Sequence, residues 1–201
     1  MYPVHNEEVI LSVHGIGKRF GPRWLFRGLD IELLQGECLI VTGKNGSGKS
    51  TLLKLLAGLE RPTEGTLKNG FDNEQSNRSY CALDQAVFPA LTVTEHLELA
   101  AQLRSQLPTP HSELLTQVGL QDHQNHQAQH LSSGLRSRLK IALAIQSQPK
   151  LLIWDEPGVA LDEAGRELVA RVVKEQSQRG ALILATNDPE ERRFGTHALE
   201  L

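Results

Sequence analysis

Short apolar runs divided by polar stretches set the layout of this chain. Residues 37–42 (ECLIVT) are almost wholly apolar, the pattern of a strand buried on both faces. They lead into GKNGSGKST and then into LLKLLAGL, whose apolar spacing predicts a helix; Gly58 lies near its end and Pro62 follows. Residues 150–154 and 181–186 (ALILAT) repeat the buried-strand pattern. A charged helix is predicted between them at about 163–178, ended by Gly180, and HALEL offers a last strand. Nearer the start, 8–13 and 24–34 read as strands split by a turn-like segment, GIGKRFGPR. Residues 66–68 and 79–83 are further strands with a polar loop between them.

The middle of the chain changes period. From 93 to 107 the apolar residues fall at helical spacing, LPTPH interrupts, and a second helix is predicted at 112–118. QDHQNHQAQH is polar and loop-like, and another helix is predicted from Ser132 to about Ser147. We read 87–147 as a helical subdomain inserted in a strand-rich core made of 1–86 and 148–201. Strands alternating with helices predict an α/β fold with a mainly parallel sheet. The 201 residues suit a single domain of this kind, and no internal repeat is visible.

Charge and cysteine usage narrow the function classes. A formal net charge of -3 gives no reason to expect nucleic acid as a partner. Cys38 and Cys81 lie in apolar runs without CxxC spacing, which suits small core residues in a reducing compartment and carries no metal signal. His123, His126 and His130 lie close together, but the stretch is rich in Gln and Asn and reads as a solvated connection. No run reaches the roughly 18 apolar residues that span a bilayer. MYPVHNEEVILSV, with two acidic residues ahead of a short apolar run, does not read as a signal peptide. For work at a membrane, another subunit would supply the membrane part.

Two motifs carry phosphate chemistry. Gly43, Lys44, Asn45, Gly46, Ser47, Gly48, Lys49 and Ser50, followed by Thr51, fit the P-loop pattern GxxxxGK[ST]. Glycines let the backbone turn tightly so that several N–H groups converge on one phosphate chain, and the following helix adds its positive end. Lys49 would reach the β- and γ-phosphates, and Ser50 would offer a hydroxyl to Mg²⁺. The second motif is LLIWDE at 151–156: an apolar strand ending in acids places them beside the phosphates. Asp155 would hold Mg²⁺ through water, and Glu156 would polarise the attacking water.

A third segment, LSSGL at 131–135, lies between them. Ser132 is a good N-cap, and the free N–H groups behind it favour an anion. With this segment the chain resembles the ATP-binding subunits of ABC transporters, whose signature reads LSGGQ, and its length is similar to that of haem-exporter ATPase subunits. The resemblance implies a P-loop ABC ATPase fold: a mainly parallel core sheet, an N-terminal antiparallel β-subdomain and a helical subdomain carrying the signature. It implies that Phe20 in KRFG stacks on adenine and that Gln85 in ALDQAVFP joins Mg²⁺ and water to the helical subdomain. It further implies that Ala160-Leu161-Asp162 crosses a dimer interface, and that Ser132 and Gly134 touch the γ-phosphate held by a facing subunit. Three positions depart from the family pattern: Ser133 and Leu135 in the signature, and Asn187 where the family has its switch histidine.

The resemblance therefore implies an ATP-hydrolysing subunit, slowed by Asn187, that closes around two ATP with a second copy of itself or a homologous ATPase subunit. It would drive solute movement by an integral membrane partner docked near Gln85, Phe88 and the helical subdomain, from the cytoplasmic face of the membrane. A soluble ABC ATPase that remodels an assembly, and a nucleotide-responsive regulatory subunit of low turnover, are the alternatives.

Overall fold

The computed structural model describes residues 8–69, 77–82, 84–104, 111–159 and 161–201. Residues outside these ranges include the N-terminal segment before Glu8, the middle of the polar loop after residue 69, Leu83, most of LPTPH, and Ala160; the helix expected to reach 107 already ends at Leu103, with Arg104 as its C-cap.

The elements follow in the order β1 Val9–Phe20, β2 Arg23–Leu34, β3 Cys38–Thr42, α1 Lys49–Leu56, β4 Glu64–Asn69, β5 Arg78–Ala82, α2 Val93–Leu103, α3 His111–Val118, α4 Ser133–Ile145, β6 Leu151–Asp155, α5 Glu163–Arg179, β7 Ala181–Ala185, α6 Pro189–Arg192 and β8 His197–Glu200. Strands β5-β6-β7-β3-β8 form a five-stranded sheet, parallel throughout. Strands β2-β1-β4 form a separate antiparallel sheet.

The parallel sheet is buried on both faces, and alternation along its strands sorts the core into two clusters. Leu39, Val41, Leu151, Ile153, Ala181 and Ile183 pack with α1 and the antiparallel sheet. Cys38, Ile40, Leu152, Trp154, Leu182 and Leu184 pack with α2–α5. Both cysteines are buried, and burial pushes both thiols up to about 12. The helical layer thus sits on one face of the sheet and the P-loop helix on the other. Among the described residues, no helix is long and apolar enough to cross a membrane.

The structure corrects one reading. GIGKRFGPR is not a turn between two strands: β1 runs through it to Phe20, and only positions 21 and 22 turn. Register shifts between Val13 and Arg19 absorb the irregular stretch, Ile16 is fully buried, and the Gly15 N–H donates to Asp30 Oδ1 at 2.8 Å. The glycines mark bulges in a paired strand, not a break. The polar stretch 121–130 contains two short 3₁₀ turns, and its backbone is tied to the start of α2: Val93 N–H donates to His126 O and Thr94 N–H to Gln124 O. The rings of His123 and His126 lie 5.1 Å apart, tilted by 54°, and no metal-holding group of His, Cys, Asp or Glu occurs among the described residues.

Candidate functional site

The carboxyl ends of β3, β6 and β7 lie side by side, with Val41 opposite Ala185 and Asp155 opposite Ala185 across the next pairing. Each strand delivers one loop there: the P-loop after β3, Glu156 after β6 and Asn187 after β7. This is the edge of a parallel sheet where ligands bind.

The P-loop owes its path to its glycines. Gly43 has φ 148°, and a Cβ there would meet Ser47 Oγ and Leu201 O at 2.6 and 2.7 Å. Gly48 has φ 110° and would place a Cβ 2.7 Å from Leu25. Lys49 opens α1 and is 7% exposed; its ammonium donates to Gly43 O at 2.8 Å and more distantly to Lys44 O at 3.4 Å. The N-terminus of α1 has no side-chain cap and no acidic residue in its first turn. Its first N–H groups therefore lack the usual internal acceptor and suit an anion. Ser47 Oγ is buried without a protein partner. An uncapped helix start, a buried cation and an orphaned hydroxyl at one loop fit a polyphosphate.

A cleft of about 430 Å³ opens over this loop, lined by P-loop residues between Asn45 and Thr51 together with Phe20, Leu25 and Glu156. Phe20 ends β1 and is 56% exposed, with the Lys18 ammonium 5.3 Å from its ring centroid. Such a ring can stack on a flat heterocycle. Ser50 and Thr51 line the cleft from the first turn of α1.

Asp155 closes β6 in a nearly buried position. Glu156 follows in the left-handed region at φ 53°, unusual for a residue with a side chain, and its N–H donates to Ala185 O at 2.9 Å. Burial, and then the charge of Asp155, push the neighbouring Tyr80 phenol up. Asn187 clasps the start of the P-loop: its amide donates to Gly43 O at 3.0 Å, and its carbonyl faces Gly43 N–H at 3.4 Å. The carbonyl that receives Lys49 thus also receives Asn187.

Gln85 lies on the loop between β5 and α2, its N–H donating to Ala82 O at 3.2 Å and its Oε1 buried without a protein partner. Three residues on, Phe88 is 59% exposed. His96 of α2 is buried beneath it. The Phe88 N–H donates to His96 Nε2 at 2.9 Å, and His96 Nδ1 lies 2.7 Å from Thr92 O. A backbone N–H can only donate, so Nε2 accepts and the ring proton sits on Nδ1.

The signature residues stand apart. Ser132 caps α4, accepting from Leu135 N–H at 3.2 Å, and is exposed with Ser133. Asp162 caps α5 through Gly165 N–H at 2.8 Å and pairs with Arg138 of α4 at 3.0 Å. Those two bonds, the Gly165 one first, hold its carboxyl below the usual range. Neither Ser132, Gly134 nor Asp162 lines the cleft over the P-loop. The structure thus gathers Phe20, the P-loop, Asp155, Glu156 and Asn187 at one sheet edge, and leaves Ser132, Gly134 and Asp162 off the cleft. Sequence reading missed Leu25 as a lining residue, the Arg138–Asp162 pair and the Phe88–His96 bond. Only Leu25, inside an apolar strand beside Phe20, had any signal there.

Comparisons with known proteins converge on one family. The ABC transporter family matches residues 26–159. The chain is 38% identical over 186 residues to the cytochrome c biogenesis ATP-binding export protein CcmA of Bradyrhizobium diazoefficiens, covering 87% of this chain and 92% of that one. It is 32% identical over 186 residues to the aliphatic sulfonates import ATP-binding protein SsuB of Rhodopseudomonas palustris, covering 90% of this chain and 66% of that one. Among solved structures, an ATP-binding subunit of an ABC transporter superposes with a TM-score of 0.86 at 25% identity, over 96% of this chain and 85% of the other. The dimeric ATP-binding cassette MJ0796 bound to ADP and Pi superposes with a TM-score of 0.81 at 24% identity, over 96% and 94%, and shows the shared fold.

Proposed function

The chain belongs to the ABC transporter ATP-binding family, and on that premise we propose that it hydrolyses Mg²⁺-ATP in a two-copy assembly and passes the resulting motion to a membrane subunit. The observation that carries this reading is the joint placement of buried Lys49 and Glu156 at one cleft, beneath an uncapped helix start.

In this reading ATP lies along the P-loop with adenine against Phe20. The N–H groups of the loop and of the first turn of α1 receive the β-phosphate, and Lys49 turns from Gly43 O to the β- and γ-phosphates. Ser50, Asp155 and Gln85 would hold Mg²⁺; Gln85 Oε1 and the nearly buried Asp155 supply the oxygen donors that such an ion takes. When bound, the ion neutralises charge on the β- and γ-phosphate oxygens. Glu156 orients a water for in-line attack on the γ-phosphorus and takes up its proton; the bond from that phosphorus to the bridging oxygen breaks, leaving ADP and phosphate. The first turn of α4, with Ser132 and Gly134, would face the γ-phosphate bound by the opposite copy, and Asp162 would cross the same interface.

Asn187 provides an amide donor where an ionisable group would otherwise meet the growing negative charge, so turnover is slow but real. Exposed Phe88, with the Gln85 loop and the helical layer, would dock the membrane subunit on its cytoplasmic face. The ATP-binding relatives that work in export and import favour transport over remodelling of a soluble assembly. The test is phosphate release from Mg²⁺-ATP. Glu156→Gln should still bind ATP while hydrolysis falls by roughly 100- to 10,000-fold. A variant that turns over like the parent would remove Glu156 from the mechanism.

A further inference from the structure

Glu191 of α6 is 8% exposed, and it does not line the cleft over the P-loop. A buried carboxylate persists only where donors satisfy it. Burial, helped by the charge of Asp188, holds this carboxyl above its usual range, while bonds from Thr186 and Gly158 and the charge of Arg166 oppose the shift in part. The Thr186 hydroxyl donates to Glu191 Oε2. The other oxygen lies against Gly158: a Cβ added there would collide with Glu191 Oε1. The missing side chain at Gly158 thus leaves the space that the carboxyl occupies.

The two partners belong to the loops after β6 and β7, which carry Glu156 and Asn187 and which the proposed reading puts on either side of the γ-phosphate. Thr186 immediately precedes Asn187, and its Oγ1 also accepts from Asp188 N–H at 3.0 Å, which fixes the loop through Asn187. Asn187 in turn braces Gly43 O, the carbonyl that receives Lys49. Gly158 lies two residues after Glu156, whose backbone is already held in a left-handed conformation. One buried carboxylate therefore joins the loop after β6 to the loop after β7. It is not needed to cap α6, because Asp188 Oδ1 does that through Glu190 N–H at 2.8 Å.

We infer that Glu191 is a positioning residue for hydrolysis, coupling the Glu156 loop to the Asn187 loop so that both sides of the γ-phosphate move together. The inference rests on the ATPase reading for its catalytic consequence and on geometry alone for the coupling.

Two readouts separate these parts. The first is amide hydrogen exchange without nucleotide, comparing the parent with Glu191→Ala, Glu191→Gln and Thr186→Val. Glu191→Ala should speed exchange in 156–159 and in 186–188 together while leaving α1 unchanged; Glu191→Gln, which keeps an acceptor oxygen of the same reach, should perturb both less. The second is steady-state hydrolysis. Glu191→Ala should lower kcat roughly 10- to 100-fold, the loss expected for bonds to a charged group, with the KM for ATP nearly unchanged. Thr186→Val should lower kcat in the parent and add little in Glu191→Ala, since both remove one link. Glu191→Gln should restore most of the rate. Faster exchange in only one loop, additive effects of the two substitutions, or a KM that rises with the loss of kcat would overturn the coupling. If Glu191→Ala fails to fold, Thr186→Val alone decides by the same two readouts. If the parent shows no Lys49-dependent hydrolysis, the ATPase reading fails and the exchange data still decide the coupling.

Discussion

The N-termini of α1 and α4 both carry motif residues, and they are built in opposite ways. The start of α1 has no side-chain cap, a glycine in the left-handed region, and a buried lysine held on the loop's own carbonyls. The start of α4 caps itself through Ser132 and presents Ser132 and Ser133 to solvent. The first arrangement leaves donors inside a cleft that the chain itself closes with Phe20 and Glu156. The second leaves a helix start on the surface whose cap takes up one N–H, that of Leu135. One chain therefore contains a built half-site and a displayed one. The difference is that α1 starts inside a cleft of its own chain, whereas α4 starts at the surface, where in the proposed reading only a second molecule would bring it a phosphate.

The largest effect should come from breaking the built half. Lys49→Ala should abolish hydrolysis and greatly weaken ATP binding, because the main cation for the β- and γ-phosphates is lost. Isothermal titration with Mg²⁺-ATP and phosphate release check this; unchanged binding and turnover would mean that the P-loop does not hold the nucleotide.

Asn187 probes how the built half is tuned. A histidine there can carry positive charge as negative charge develops, and one charge-assisted hydrogen bond is worth about 1.5–3 kcal/mol, or roughly 10- to 100-fold in rate. Asn187→His should raise turnover by about that factor. Histidinium is the better donor, so the increase should be largest at low pH and fade as pH rises through about 6–7. The parent should show no titration at this position. If Asn187→His and Asn187→Ala both lower the rate, the amide clasp on Gly43 matters more than the missing charge.

The smallest effect belongs to the adenine side. Phe20→Ala should weaken ATP binding by about 1 kcal/mol, near 5-fold, with a similar loss for GTP because stacking reads a π-face. Equal affinity in parent and variant would place the base elsewhere.

Much of the built half was legible in the sequence because local rules determine it. ECLIVT, LLIWD and ALILA are apolar on both strand faces and can lie only inside a covered sheet, and the glycine spacing of 43–48 dictates the turn into α1. What escaped depends on distant pairing. GIGKRFGPR reads as a turn from its glycines, yet β2 and β4 supply partners that keep it a bulged strand. The four-residue α6 had its signals, Asp188 as cap and Pro189 in the first turn, but it is too short for apolar periodicity to reveal. The links Arg138–Asp162, Phe88–His96 and Glu191–Thr186 join residues whose proximity the fold alone creates or whose loop the sequence leaves open.

In the proposed assembly the displayed half of one copy completes the built half of another. Molar mass by light scattering, on Glu156→Gln saturated with Mg²⁺-ATP, tests it most directly. The expected mass is twice the 22.2 kDa chain mass, falling back to a single chain when Ser132→Arg is added, while each chain still binds ATP at its own P-loop. A mass that stays at one chain with ATP bound, or a doubled mass indifferent to Ser132→Arg, would contradict it.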